Sequence, residues 1–328
     1  MNNKTPKFSI VCPVLNVAPY IGETIDSIIN QTYEDWELIV VDGVSTDGTI
    51  EIVKHYAEKD FRIRFYSEPD ECSWHAFDKG LSLARGEFIT TIPGQDGFCD
   101  STWLEECARV FDLNHDVSLV WGLTQLISLD QKIFDHEPYL HFLEKENIFE
   151  ILWINIKKTT VVLRDILFKG KTRRVLLLKK IFSKTASFRF NVLMKRKFKG
   201  GKIPQKEYWF LYWLKTGLPF PDLSLFVDRK IFINLLPRYE KGNKTLGFMT
   251  DFFFKFNSYG YLSYHIPRRV AFSHMHENKL SETLEIEANN AYEKYLEQIR
   301  NFRKTLRRKH LKMRFLNRKG DVISSIQF

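Results

Sequence analysis

Two short apolar runs that each stop at a polar turn constrain this 328-residue chain more than any other feature. The first, residues 8–13, ends at Pro13-Val14-Leu15-Asn16. The second, residues 37–41, ends at Asp42-Gly43-Val44-Ser45-Thr46-Asp47-Gly48-Thr49. Short, apolar, β-branched runs of this kind read as strands buried on both faces. Between them Ile21, Ile25, Ile28 and Ile29 share one face of a helix spanning Tyr20 to Asn30. In a parallel sheet both polar ends open on the same edge. That edge is where α/β proteins bind ligands. A carboxylate, hydroxyls and glycines there suit a ribose or a base with a closely approaching phosphate.

The alternation continues. Helices are expected over Thr49–Lys59, Trp74–Ala84 and Asp100–Phe111, and strands over Arg62–Tyr66, Gly86–Ile92 and Val117–Gly122. Alternating units at this spacing predict an α/β fold with a mostly parallel sheet covered on both faces. The hydrophobic fraction is 44% and the charged fraction 27%, as in ordinary globular proteins. Four cysteines lack zinc or redox spacing and read as reduced thiols. The N-terminus lacks the apolar core of a signal peptide, and no run reaches the ~18 apolar residues that span a bilayer. A cytoplasmic location is expected.

The formal net charge is +9, which calls for an anionic partner. From Lys157 to Lys202 there are sixteen Lys or Arg against one acid, Asp165, with aliphatics interleaved. A basic amphipathic pattern like this suits an anionic membrane surface on the inner face of the cytoplasmic membrane. Nucleic acid is the competing partner and is not expected, since no nucleic-acid-binding module is present. Four segments follow: 1–135 as an α/β unit, 136–217 as a basic amphipathic helical segment, 218–285 as a return to mixed strands and helices, and 286–328 as a basic helical tail.

The motifs resemble the family 2 nucleotide-sugar glycosyltransferases, which have the GT-A fold; the resemblance implies that 1–135 is the nucleotide-sugar-binding half of that domain and 218–285 its acceptor and catalytic-base half. On that resemblance Pro13, Val14, Asn16 and Tyr20 line the nucleotide pocket, Asp42 binds the base, and Ser45 follows in the Ser-x-Asp-Gly-Thr run. Ser45 and Asp47 read equally as helix caps. Residues 67–88 match a second family segment through Ser67, Glu68, Asp70, Ala76, Lys79 and Gly80, which points to Asp70 and Lys79 as nucleotide contacts. Lys79-Gly80 also reads as a helix C-terminal cation and a break.

After the fourth strand the family carries Asp-x-Asp, which holds a divalent cation, Mg2+ or Mn2+, against the donor phosphates. Here the segment is Gly94-Gln95-Asp96-Gly97, so only Asp96 is retained. Phe98 and Trp103 fit a branch of the family with a lone Asp-Gly. The resemblance assigns the catalytic base to Asp251 in Thr250-Asp251-Phe252-Phe253-Phe254-Lys255, which also reads as a helix cap. His276, with His274 in reserve, is the expected second metal contact. The implied activity is inverting transfer of a sugar, UDP-linked by expectation, to a cell-surface glycan or lipid-linked acceptor. The alternative is a non-catalytic sugar-nucleotide- or nucleic-acid-binding protein on the same scaffold.

Overall fold

The computed structural model describes residues 5–128, 132–135, 205–217, 220, 222–241, 248–274 and 282–328. The basic segment 157–202 and His276 lie outside them.

Four parallel strands come first: β1 (Phe8–Val14), β2 (Trp36–Asp42), β3 (Ile63–Ser67) and β4 (Phe88–Thr91). Every residue of β1 and β2 is buried, which explains why both read as unbroken apolar runs. Helices α1 (Ala18–Ile29), α2 (Thr49–Lys59) and α3 (Ser73–Leu83) connect them. Then follow β5 (Asp96–Phe98), α4 (Trp103–Leu113), β6 (Val117–Ile127) and β7 (Ile133–Asp135).

The later elements complete the same sheet. They are α5 (Gln205–Thr216), a 3-10 turn at Asp222–Ser224, β8 (Leu225–Asp228), α6 (Arg229–Leu235), α7 (Phe248–Tyr259) and β9 (Leu262–His274). Strand order is β3-β2-β1-β4-β8-β6-β9-β5, with β7 paired to β6. β8 runs antiparallel between β4 and β6, while β6 and β9 pair in parallel. Segments 1–135 and 218–285, expected as two halves of one domain, contribute strands to the same sheet.

Apolar side chains pack on both faces. Ile21, Ile25, Ile28, Val53, Trp103 and Phe111 belong to one core cluster. Trp74, Phe77, Trp213, Phe232, Phe252 and Tyr295 belong to the other. Glycine is required at Gly86, where a Cβ would sit 2.6 Å from the Ser9 nitrogen.

Two expectations are corrected. The end of the segment expected as a membrane contact, α5, buries Trp209, Phe210, Tyr212 and Trp213 in the protein core. The tail is not helical throughout: α8 (Glu282–Arg308) stops, and β10 (Lys312–Leu316) pairs with β11 (Val322–Gln327) as a hairpin. Its alternation puts Met313 and Phe315 inward, and Gly320 (φ +90) makes the turn. The density of cations masked that period of two. Among the described residues no helix is long and apolar enough to cross a membrane.

Candidate active site

The carboxyl ends of β1, β2 and β3 meet the loop after β4 at one edge. β2 and β3 are added on one side of β1 and β4, also parallel, on the other, so the strand order reverses between β1 and β4, the position at which open α/β sheets bind ligands. Val14 lies opposite Asp42, and the Gly43 amide donates to the Val14 carbonyl at 3.0 Å. Pro13 and Val14 also hold the β4–β5 loop: a Cβ on Gly94 would come within 2.5 Å of Val14 Cγ1.

Asp42 is fully buried. Its carboxylate accepts from the Val44 amide at 2.9 Å, the Ser45 amide at 3.1 Å, the Ser67 hydroxyl at 2.7 Å, and the Ser45 hydroxyl. Four donors match the roughly four acceptor sites of a carboxylate. Asp42 thus shapes the pocket by holding its own loop. Asn16, at φ +52, donates its amide to Ser45 Oγ at 2.8 Å and accepts from the Thr46 amide at 2.9 Å. Val44 sits at φ +67 with its side chain 45% exposed, a strained conformation for a β-branched residue.

The capping alternatives resolve unexpectedly. The N-cap of α2 is Gly48, not Ser45 or Asp47. Asp47 accepts from the Thr49 amide at 3.0 Å and, across the loops, from the Ala18 amide at 2.9 Å. Thr49 Oγ1 accepts from the Val17 amide at 2.9 Å. The β2–α2 loop therefore satisfies amides at the start of α1, whose own N-cap residue, Val17, offers no side-chain cap. Desolvation pushes the Asp47 pKa up, but the Thr49 hydroxyl and the Ala18 and Thr49 amides outweigh it and hold it below the ordinary range.

Asp70 differs from Asp42. Its Oδ2 would lie 2.6 Å from a Cβ built on Gly43, so only glycine lets it approach the β2 end. Burial, then the opposing pull of Lys79 and His75, and repulsion from Asp42 leave its pKa raised. Lys79 braces this turn by donating to the Pro69 carbonyl at 2.7 Å and pairing with Glu68 at 3.2 Å. A clasp that the sequence did not reveal lies alongside: His75 and Tyr239 stack at 4.3 Å, Tyr239 donates to Glu71, and Arg238 pairs with Asp78 at 3.1 Å.

Two almost fully buried carboxylates separate structure from function. Glu37, 2% exposed, accepts from Ser9 Oγ at 2.7 Å, the Arg85 amide at 2.7 Å and Arg64 at 2.9 Å. Burial raises its pKa, but these bonds outweigh burial and the net shift is down. Asp96, 3% exposed, has an Oδ1 with no hydrogen-bond partner. Its pKa is pushed up to about 7 by desolvation, lowered in part by the Ser273 hydroxyl and His274 amide, and raised further by Asp222. A buried acceptor without a donor is costly, and sites that keep one are candidates for ligand or metal contact. Asp96 is held firmly: the Phe98 amide donates to Ser27 Oγ at 3.1 Å, and a Cβ on Gly97 would strike Phe272 at 2.6 Å.

Asp222 is the functional candidate missed in the sequence. It precedes β8, 126 positions after Asp96, and the turn carrying it packs against β5 and β9. Ser224 fixes that turn by donating to the Gly122 carbonyl at 3.1 Å. Only tertiary structure could have found it. The Tyr20 ring lies 5.3 Å from the His274 ring, and His274 Nε2 bonds Glu23 at 2.9 Å. Asp251 lies in the first turn of α7 and pairs with Lys255 at 2.8 Å. Lys255 also donates to the Leu235 carbonyl at 3.3 Å, so this pair faces α6.

Residues 9–169 match the model of glycosyl transferase family 2. The chain carries a family 2 glycosyltransferase domain. The domain resembles a PGL/p-HBAD biosynthesis glycosyltransferase of Mycobacterium tuberculosis, with 33% identity over 118 residues, 36% of this chain and 46% of that protein. It also resembles a Haemophilus influenzae protein described as an uncharacterized glycosyltransferase, with 30% identity over 168 residues, 48% of this chain and 65% of that protein. The chain thus spans about half the length of the first relative and less than two thirds of the second. Among solved structures, S. aureus TarS 1-349 is similar at TM-score 0.50 and 14% identity, covering 92% of this chain and 73% of that one. That likeness concerns the fold alone, and the family 2 glycosyltransferase domain has the GT-A fold expected of it.

Proposed function

We propose that this protein transfers a sugar from a nucleoside-diphosphate donor, UDP-linked, to a hydroxyl of a cell-surface glycan or lipid-linked acceptor. The observation that carries the reading is the pair of carboxylates at the ligand-binding edge: Asp70 against Gly43, and the buried Asp96 with an orphaned Oδ1. Asn16, Ser45 and Asp42 build the floor on which the nucleoside rests, and Asp70 accepts from its donors.

The residues fit a divalent cation. Asp96 Oδ1 is an unused oxygen ligand, and Asp222 supplies a second carboxylate nearby. One or two carboxylates completed by substrate phosphates are typical for Mg2+, with Mn2+ as the alternative. When bound, such an ion neutralises the charge that gathers on the departing diphosphate. The chain's own part is to hold Asp96 rigid through Ser27 and Phe272 and to keep water from its inner oxygen. Asp251 takes the proton from the acceptor hydroxyl as that oxygen attacks the anomeric carbon, and one displacement inverts the sugar. An anionic membrane surface presents the acceptor.

A non-catalytic sugar-nucleotide binder is the second reading. Gln95 in place of a carboxylate and the Asp251–Lys255 helix pair favour it. The test is nucleoside diphosphate release with an acceptor glycan, in wild type and Asp251→Asn. Transfer by wild type and a loss of about 100-fold or more in the variant is expected. Equal turnover removes Asp251 as base, and donor binding without turnover selects the second reading.

A further inference from the structure

Residues 300–319 hold ten Lys or Arg and no Asp or Glu. In α8, Arg300, Arg303, Lys304, Arg307 and Arg308 recur at helical spacing and share one face. The other side buries Tyr295, Ile299 and Leu306 in the core. All five cations are exposed except Arg303, which is half-buried. Desolvation, then Arg307 and Arg300, push the Arg303 pKa below its ordinary value, the effect expected where like charges crowd. Arg300 reaches Glu293 at 3.5 Å, but both side chains are more than half exposed and the pair adds little.

The face continues into the hairpin. Lys309 and Lys312 are exposed, with Leu311 between them 40% exposed. Because Met313 and Phe315 turn inward, Lys312 and Arg314 turn outward. Val322 and Ile323, on the partner strand, are 54% and 42% exposed. A solvated surface helix carries interleaved charges of both signs; α8 does so up to Glu293 and Glu297, but from Arg300 onward its charges are all positive. Cations of one sign flanking exposed aliphatics fit an anionic bilayer, where both find a partner. Nucleic acid would leave the aliphatics in water. Phe302 and Phe315 pack against the core, which withholds them from base stacking.

We propose that the basic face of α8 and the outer face of the β10–β11 hairpin form a docking surface for an anionic lipid bilayer. The proposal deepens the membrane part of the proposed function and names a surface distinct from 157–202. It does not involve the donor site. Arg318, in the hairpin turn, pairs with Glu87 at 3.2 Å and donates to the Phe111 carbonyl at 2.9 Å, at the sheet edge opposite Asp42 and Asp96.

The test is co-sedimentation of the full chain with vesicles of phosphatidylcholine alone or with about 30% phosphatidylglycerol. Binding to the anionic vesicles only, weakened at about 0.5 M salt, is expected. The combined variant Arg300→Glu, Lys304→Glu, Arg307→Glu and Arg308→Glu should lower partitioning at least about tenfold. Its UDP affinity by calorimetry and its melting temperature should match wild type. The milder Arg307→Ala and Arg308→Ala pair should give an intermediate loss and guards against misfolding. Undiminished binding by the fourfold variant, equal binding to neutral vesicles, or tighter binding to a random RNA oligonucleotide than to vesicles overturns the proposal. Vesicle binding with no UDP binding supports it while refuting the donor site.

Discussion

Asp96→Asn should make the protein more stable and less active at once. The carboxyl group has an ordinary pKa of 3.8 and a folded value of about 7. Between those values the folded state holds the proton more tightly than the unfolded chain. Stability from this group is therefore fully present below the unfolded value and is lost as pH rises through the folded one. A shift of about 3 units at 1.36 kcal/mol each sets a ceiling of about 4 kcal/mol for the cost of keeping the buried carboxylate ionised. Asparagine cannot ionise, but its amide leaves a buried donor short of a partner, which costs about 1–3 kcal/mol. The net expectation is a gain of about 1–3 kcal/mol at about pH 8.5 without divalent cations, turning into a loss of about 1–3 kcal/mol near pH 4, where only the amide penalty remains. Urea unfolding at both pH values, with chelator present, measures it. Lower stability of the variant at high pH, or the same difference at both, contradicts burial of an unpaired carboxylate as the cause.

Other expectations follow from the same edge. Asp70→Asn should weaken UDP binding by calorimetry about 10- to 100-fold, with the unfolding midpoint unchanged. Asp42→Ala should act the other way round: four donors lose their acceptor, and urea unfolding should show a loss of about 3–5 kcal/mol. Val44→Gly should relieve the left-handed strain and stabilise by up to about 1 kcal/mol in thermal unfolding.

The fold was legible where local pattern and burial agree. β1 and β2 are buried on both faces, so their residues are apolar throughout and cannot be mistaken for surface. The helix face of α1 was legible because its isoleucines recur at helical spacing and Ile21, Ile25 and Ile28 are buried. β8 was not, because an antiparallel strand of four residues entering mid-sheet leaves no long-range trace in its own composition. The hairpin was hidden by its cations. In the site, Asp42 was visible as a carboxylate directly after a strand, and Asp70 and Asp96 as carboxylates in the loops that follow strands. What each does was not visible. Only the hydrogen bonds distinguish a saturated Asp42 from an Asp96 with an idle oxygen. Asp222 belongs to the site solely through the packing of its turn against β5.

The most direct measurement is calorimetric binding of UDP-, GDP- and dTDP-sugars to wild type and Asp96→Asn, with and without Mn2+. Binding of a UDP-sugar to wild type that requires the ion and falls at least about tenfold in the variant is predicted. No binding of any sugar nucleotide, or equal affinity in both proteins, contradicts a nucleotide-sugar site built on Asp96.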